Sequence, residues 1–157
     1  MSIKKILAIG LVAGSLGYIL VRQKIATLTK QFESIKIMPT GINSIKFEWN
    51  DFKPQLKFNL DITFSNPLTD TFQVNGMVAK LQRLIILDAS GKALAVVTPN
   101  TGKIVVPANG NYTLKNVPVV LDLQGSIITV SNYKLLTLKN LKTEAIVTIL
   151  GYEYKIR

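Results

Sequence analysis

The sequence predicts an all-β domain, an antiparallel β-sandwich, carried behind an N-terminal membrane-spanning helix. Three observations predict it. Leu56–Pro67 places apolar side chains at 56, 58, 60, 62 and 64 and polar ones at 57, 59, 61, 63 and 65, the two-residue period of a strand with one dry and one wet face. Further runs of strand character follow, separated by turn-prone clusters at short intervals, the pattern of a sandwich. Ahead of them lies Ile6–Val21, sixteen residues whose only polar side chains are Ser15 and Tyr18. The chain divides accordingly into 1–35, a span with an amphipathic stalk, and 36–157, the β domain.

As a helix, Ile6–Val21 is about 24 Å long, against a hydrocarbon core of roughly 30 Å. Lys5 and Arg22 can snorkel to the interface, where Lys4 and Lys24 also fall, and Ile3 and Ile25 extend the apolar run. A cleaved signal peptide would need small residues where Tyr18–Lys24 stands. A helix buried in a protein assembly is the remaining alternative. Gly10 and Gly14 form a GxxxG, with Gly17 on the same side, which lets two such helices approach closely. The flanking positive charges nearly balance, and the reading adopted puts the short N-terminal tail in the cytoplasm. Ile25, Leu28, Phe32 and Ile35 keep helical spacing, so the helix is expected to continue to about Ser34 and to be broken by Pro39-Thr40-Gly41.

The strand signals then come in order. Ile45–Trp49 alternates and closes on Asn50-Asp51, and Lys53-Pro54 leads into the central strand, which Asn66-Pro67 ends because proline has no N–H for the ladder. Phe72–Leu87 reads as one long strand bent at Asn75-Gly76. Ala89–Lys92 turns into Ala93–Val97, Thr98–Gly102 into Lys103–Val106, and Pro107–Asn111 into Tyr112–Leu123, whose internal Pro118 predicts an edge or bulged strand. Ser126–Leu138 is ambiguous, with Ser126 able to cap a short helix. Lys142–Arg157 is the closing strand, its phase shifted at Gly151.

The chain has no Cys and no His, which removes thiol and imidazole nucleophiles, disulfides and the usual zinc sites. No DxD, HExxH, GxSxG or phosphate-binding glycine loop is present. The nine carboxylates fall mostly on polar strand positions or in turns. Asp61, facing away from the core in the central strand, is the one to inspect. The reading is therefore a non-enzyme with no catalytic, cofactor-binding or metal-ligating residues. Phe47 and Trp49 read as core or as a membrane-facing edge rather than a ligand stack.

Lys and Arg total 19 against 9 Asp and Glu, a net charge of +10. Residues 1–35 hold five basic and one acidic (+4), and 36–157 hold fourteen and eight (+6). A diffuse excess of this kind suits anionic head groups, or nucleic acid through non-specific charge alone. Lys57 on the wet face of the central strand, with Lys46, Lys80 and Arg83 on neighbouring strands, are the candidate contacts.

A strand ending in Asn66-Pro67, then Phe72-Gln-Val74, a long strand to a Ser90-Gly91-Lys92-Ala93-Leu94-Ala95 hairpin and an Ile104-Val-Val-Pro107-Ala108 run together resemble the type 2 late embryogenesis abundant, or WHy, domain. The similarity covers about residues 42–123 and is expected to run on to the C-terminus. It implies a fibronectin-III-like sandwich of the immunoglobulin-like class without catalytic residues, often carried on a membrane anchor and linked to stress protection or membrane-surface roles.

The expected function is a single-pass membrane protein displaying a non-enzymatic β-sandwich for binding or structural support. Its expected partners are the bilayer and a protein partner or assembly, with homo-oligomers among the options. Two alternatives stand beside it: a structural protein of a lipid-containing virion, spanning an internal membrane, and a lipid-binding module using the gap between sheets.

Overall fold

The computed structural model describes residues 19–20, 22–23, 25–74, 79–99, 101, 103–123, 137–149 and 151–157. They form two compact units, Met1–Phe32 and Glu33–Arg157. In the first, residues 25–32 are helical, and the helix runs on to residue 34 as the spacing predicts. Among the described residues no helix is long and apolar enough to cross a membrane. Apart from Ile19 and Leu20, the expected span Ile6–Val21 with Gly10, Gly14 and Gly17 lies outside them, as do Lys4, Lys5 and Lys24.

The second unit is all-β and antiparallel. Its described strands are β1 (Lys36–Asn50), β2 (Lys53–Asn66), β3 (Phe72–Val74), β4 (Ala79–Asp88), β5 (Ala93–Val97), β6 (Ile104–Val106), β7 (Gly110–Asp122), β8 (Leu141–Ile149) and β9 (Tyr152–Ile156). They pair into a three-stranded sheet in the order β1-β2-β7, a two-stranded sheet β3-β6, and a four-stranded sheet β5-β4-β8-β9. The strand read as central is the middle strand of its sheet. Its alternation becomes burial directly: Leu56, Phe58, Leu60, Ile62 and Phe64 are all at most 2% exposed. Each such side chain stabilises by about 1.5–3 kcal/mol relative to exposure.

Two β-bulges keep the alternation matched to the core. In β7 the register slips opposite Leu60 and Ile62, where Asn116 takes a φ of 56°. The inward set therefore passes from Tyr112 and Leu114, paired with Phe64 and Ile62, to the buried Val117, Val119 and Leu121. In β4 the slip at Gln82, between Leu81 and Arg83, lets Leu81 and Leu84 both point in while Lys80 and Arg83 both point out.

Several element boundaries differ from the sequence reading. β1 begins at Lys36, ahead of Pro39-Thr40-Gly41, which sits inside it as a register irregularity; an edge strand tolerates the missing proline N–H. Phe72–Leu87 is two strands in two different sheets, and the Asn75-Gly76 bend lies outside the described residues. The closing stretch is a hairpin: Ile149 pairs with Tyr152, and Gly151 at φ 89° reverses the chain instead of shifting its phase. Pro118 lies in β7, which is both an edge strand and bulged. Most of the ambiguous Ser126–Leu138 patch is outside the described residues; Leu138–Asn140 at its end form a 3₁₀ turn.

Candidate functional site

The Asn66-Pro67 signal ends β2 by a specific device. Asn66 is 1% exposed, so its amide must find partners. Its Nδ2 donates to the carbonyls of Asp70 at 2.8 Å, Pro107 at 3.1 Å and Val106 at 3.3 Å. Its Oδ1 accepts from the Leu68 N–H at 3.0 Å. One side chain thus ties the end of β2 to the turn behind it and to the end of β6. This is a structural role.

Asp61, the carboxylate worth inspecting, lies opposite Gly41 in β1. Its Oδ1 accepts from the Asn116 N–H in the β7 bulge at 2.8 Å, while Oδ2 accepts a 3.5 Å contact from Asn43 Nδ2. Beside it Thr40, Thr63 and Thr113, one on each strand of the sheet, bond hydroxyl to hydroxyl at 2.9 Å in each step. The carboxylate anchors a bulge, and the threonines brace an exposed face.

The basic residues separate. Lys46 lies directly across from Lys57, and Glu48 reaches Lys57 Nζ at 2.6 Å. The hydrogen bond and charge of Lys57, with Lys46 adding to them, hold the Glu48 carboxyl below its ordinary value. Lys80 and Arg83 belong to the other large sheet, where Arg83 pairs with Glu153 at 3.1 Å. The four candidate residues therefore fall into two pairs on two different sheets, Lys46 with Lys57 and Lys80 with Arg83. Arg22 lies in the helical unit.

The sequence reading placed a turn at Asn50-Asp51 after β1 but passed over Phe52 within it. Asp51 and Phe52 connect Asn50 to Lys53 with φ of 46° and 62°, the two-residue type I′ pattern. Phe52 is 96% exposed and Trp49 is 67% exposed. Trp49 packs edge-on against Phe47, ring centres 5.7 Å apart. By register Phe47 and Trp49 share the face of Leu56, since they pair with Leu56 and Pro54. The hairpin thus carries the dry face of its sheet out to a point where it meets water. The available signal was an aromatic residue inside a two-residue turn that favours glycine.

A cleft of about 500 Å³ opens between β1 and β8, with walls from Ile37, Pro39, Leu87 and Leu141. Thr143 on its wall is 4% exposed, and its hydroxyl has no hydrogen-bond partner among the described residues. At the rim Glu144 pairs with Lys155 at 2.7 Å and Arg157 at 3.2 Å.

No family model matches the chain, and no curated protein matches it. Among solved structures it is similar to the X-ray structure of Northeast Structural Genomics Consortium target SoR45, at 17% identity and a TM-score of 0.42, covering 78% of this chain and 80% of that one.

Proposed function

We infer that the chain is a single-pass membrane protein whose β domain, a fibronectin-III-like sandwich of the type 2 late embryogenesis abundant kind, is a non-enzymatic binding or structural module at a membrane surface. The observation that carries this reading is the apolar run Ile6–Val21 joined through a helix to an antiparallel β domain. The polar side chains that stood out in the sequence of that domain, Asn66 and Asp61, are engaged in holding strands together. The sandwich reading draws support from β1 touching β8 and β5 touching β7, which sets the two large sheets against each other.

Flotation of the full chain with liposomes at low and high salt tests it. Flotation that high salt leaves unchanged is the expected outcome, because an apolar span is held by burial and not by charge. A chain that stays at the bottom of the gradient overturns the anchor and moves the virion-type assembly to first place.

The cleft favours a second reading, a lipid-binding module, through the apolar side chains of Ile37, Leu87 and Leu141, the charged Lys142 and Arg157 that also line it, and a Thr143 hydroxyl without a partner among the described residues. A fluorescent fatty acid displaced by Thr143→Val and by Leu141→Trp alike would support it; failure of the fatty acid to bind would remove it.

A further inference from the structure

We propose that the β1–β2 turn is an insertion tip: Trp49 and Phe52 enter the interfacial layer of an anionic lipid leaflet while Lys46, Lys53 and Lys57 face its phosphates. The proposal deepens the membrane-surface reading and rests on it for the lipid's being within reach.

Three independent features of the turn point to an occupant. Ile45, Trp49 and Phe52 are 44%, 67% and 96% exposed, a concentration of large apolar side chains in eight residues. Next, Phe52 holds a left-handed backbone conformation at φ 62°, in a turn position where glycine is favoured and a bulky residue is strained. A side chain that is 96% exposed returns no packing to the fold for that strain. Finally, Phe47 and Trp49 continue the inward register of Leu56, so the sheet presents a prolonged dry face with Trp49 still largely in water.

The chemistry selects lipid. Trp and Phe combine a large apolar body with tolerance of the head-group layer, which is where aromatic residues gather on membrane proteins. The hairpin carries Lys46, Lys53 and Lys57 against Glu48 and Asp51, an excess of one, and residues 36–157 carry fourteen basic and eight acidic side chains, an excess of six. An anionic leaflet attracts such a domain, and each basic residue near it adds to the attraction.

β1 has fifteen residues, up to about 50 Å of extended strand between its start and the tip. Anchoring at Ile6–Val21 and lipid contact at Trp49 can be measured separately. Trp49 is the only tryptophan in the chain, so intrinsic fluorescence reports on the tip alone.

The full chain is reconstituted with phosphatidylcholine vesicles, with and without phosphatidylglycerol, and with brominated acyl chains as quencher. The expected result is a blue shift and quenching of Trp49 in the anionic vesicles, weakened by high salt. Phe52→Gly is expected to reduce the apparent partition of the tip about tenfold while leaving flotation and the far-UV spectrum unchanged. Flotation with Trp49 emission unshifted and unquenched overturns the tip and leaves the anchored reading standing. Quenching in anionic vesicles by a chain that high salt then strips from them supports the tip and overturns the anchor. A blue shift that grows with protein concentration in lipid-free detergent assigns the tip to a second copy of the chain and overturns the proposal.

Discussion

Asn66 at the end of β2 donates its side-chain amide to the carbonyl of Pro107, forty-one residues later, at 3.1 Å. The same amide holds Asp70 and Val106, and the same residue's oxygen holds Leu68. Substitution by alanine strands several buried polar groups at once. Asn66→Ala is expected to cost about 3 kcal/mol, since each unsatisfied group costs roughly 1–3 kcal/mol. Asn66→Asp keeps the Leu68 contact, loses the three donations and should be nearly as unstable. Urea midpoints of both variants check this.

Phe52 is strained where it stands, and glycine adopts the same turn without strain. Phe52→Gly is expected to raise stability by about 0.5–1 kcal/mol, read as a higher urea midpoint with an unchanged slope. A loss of stability would mean that the side chain packs against something in the fold and would remove the argument from strain.

Gly41 faces Asp61 so closely that a Cβ there would lie 2.8 Å from Asp61 Oδ2 and 3.3 Å from its Cβ. Gly41→Ala is expected to push the carboxylate off the Asn116 N–H, at a cost of about 1 kcal/mol. In an Asp61→Ala background the cost should largely vanish. A double-mutant cycle on urea midpoints measures the coupling; additive costs would mean that the two residues do not constrain each other.

Glu48 and Asp88 are both held below ordinary carboxylate values, the first by Lys57 and the second by the Ser90 hydroxyl and the Lys92 N–H. A carboxyl depressed in the folded state contributes stability that is complete above its unfolded value and lost as pH falls through the folded one. The ordinary values are 4.5 and 3.8. With no His or Cys in the chain, stability is expected to be flat from about pH 5.5 to 7.5 and to fall below about pH 4.5. Denaturant midpoints across that range check it. Lys57→Met should make the acid-side fall shallower.

Leu60 and Ile62 are fully buried in the middle strand of their sheet. Leu60→Ala is expected to cost about 2–5 kcal/mol, the range for a truncated core side chain whose cavity only partly collapses. Thermal unfolding measures it, and a cost under about 1 kcal/mol would show that the site relaxes or opens to water.

Much of this could be read from the amino acids because strand alternation is a local property. Every second residue from Leu56 to Phe64 was apolar, and every one of those is buried. The proline of β7 announced an edge or bulged strand, and β7 is both. The same local rule misled at Phe72–Leu87, where continuous apolar character concealed a change of sheet, and at Gly151, where a break in phase was a reversal of direction. Periodicity reports which face of a strand is dry; it carries no information on the partner that dries it.

The sequence by itself determined the all-β class, the end of β2 and the limits of β5, β6 and β7 to within about two residues, the helix up to residue 34, and the turn at Asn66-Pro67. Only the tertiary structure decided that Lys57 and Lys46 share a sheet from which Lys80 and Arg83 are absent. It also decided that Asn66 reaches Pro107, and that Trp49 and Phe52 stand in water while Leu56, on the same face as Trp49, is buried. The reason is physical: backbone preference and alternation act between residues a few positions apart, whereas sheet membership, hydrogen-bond closure and burial depend on chain segments that meet only after folding.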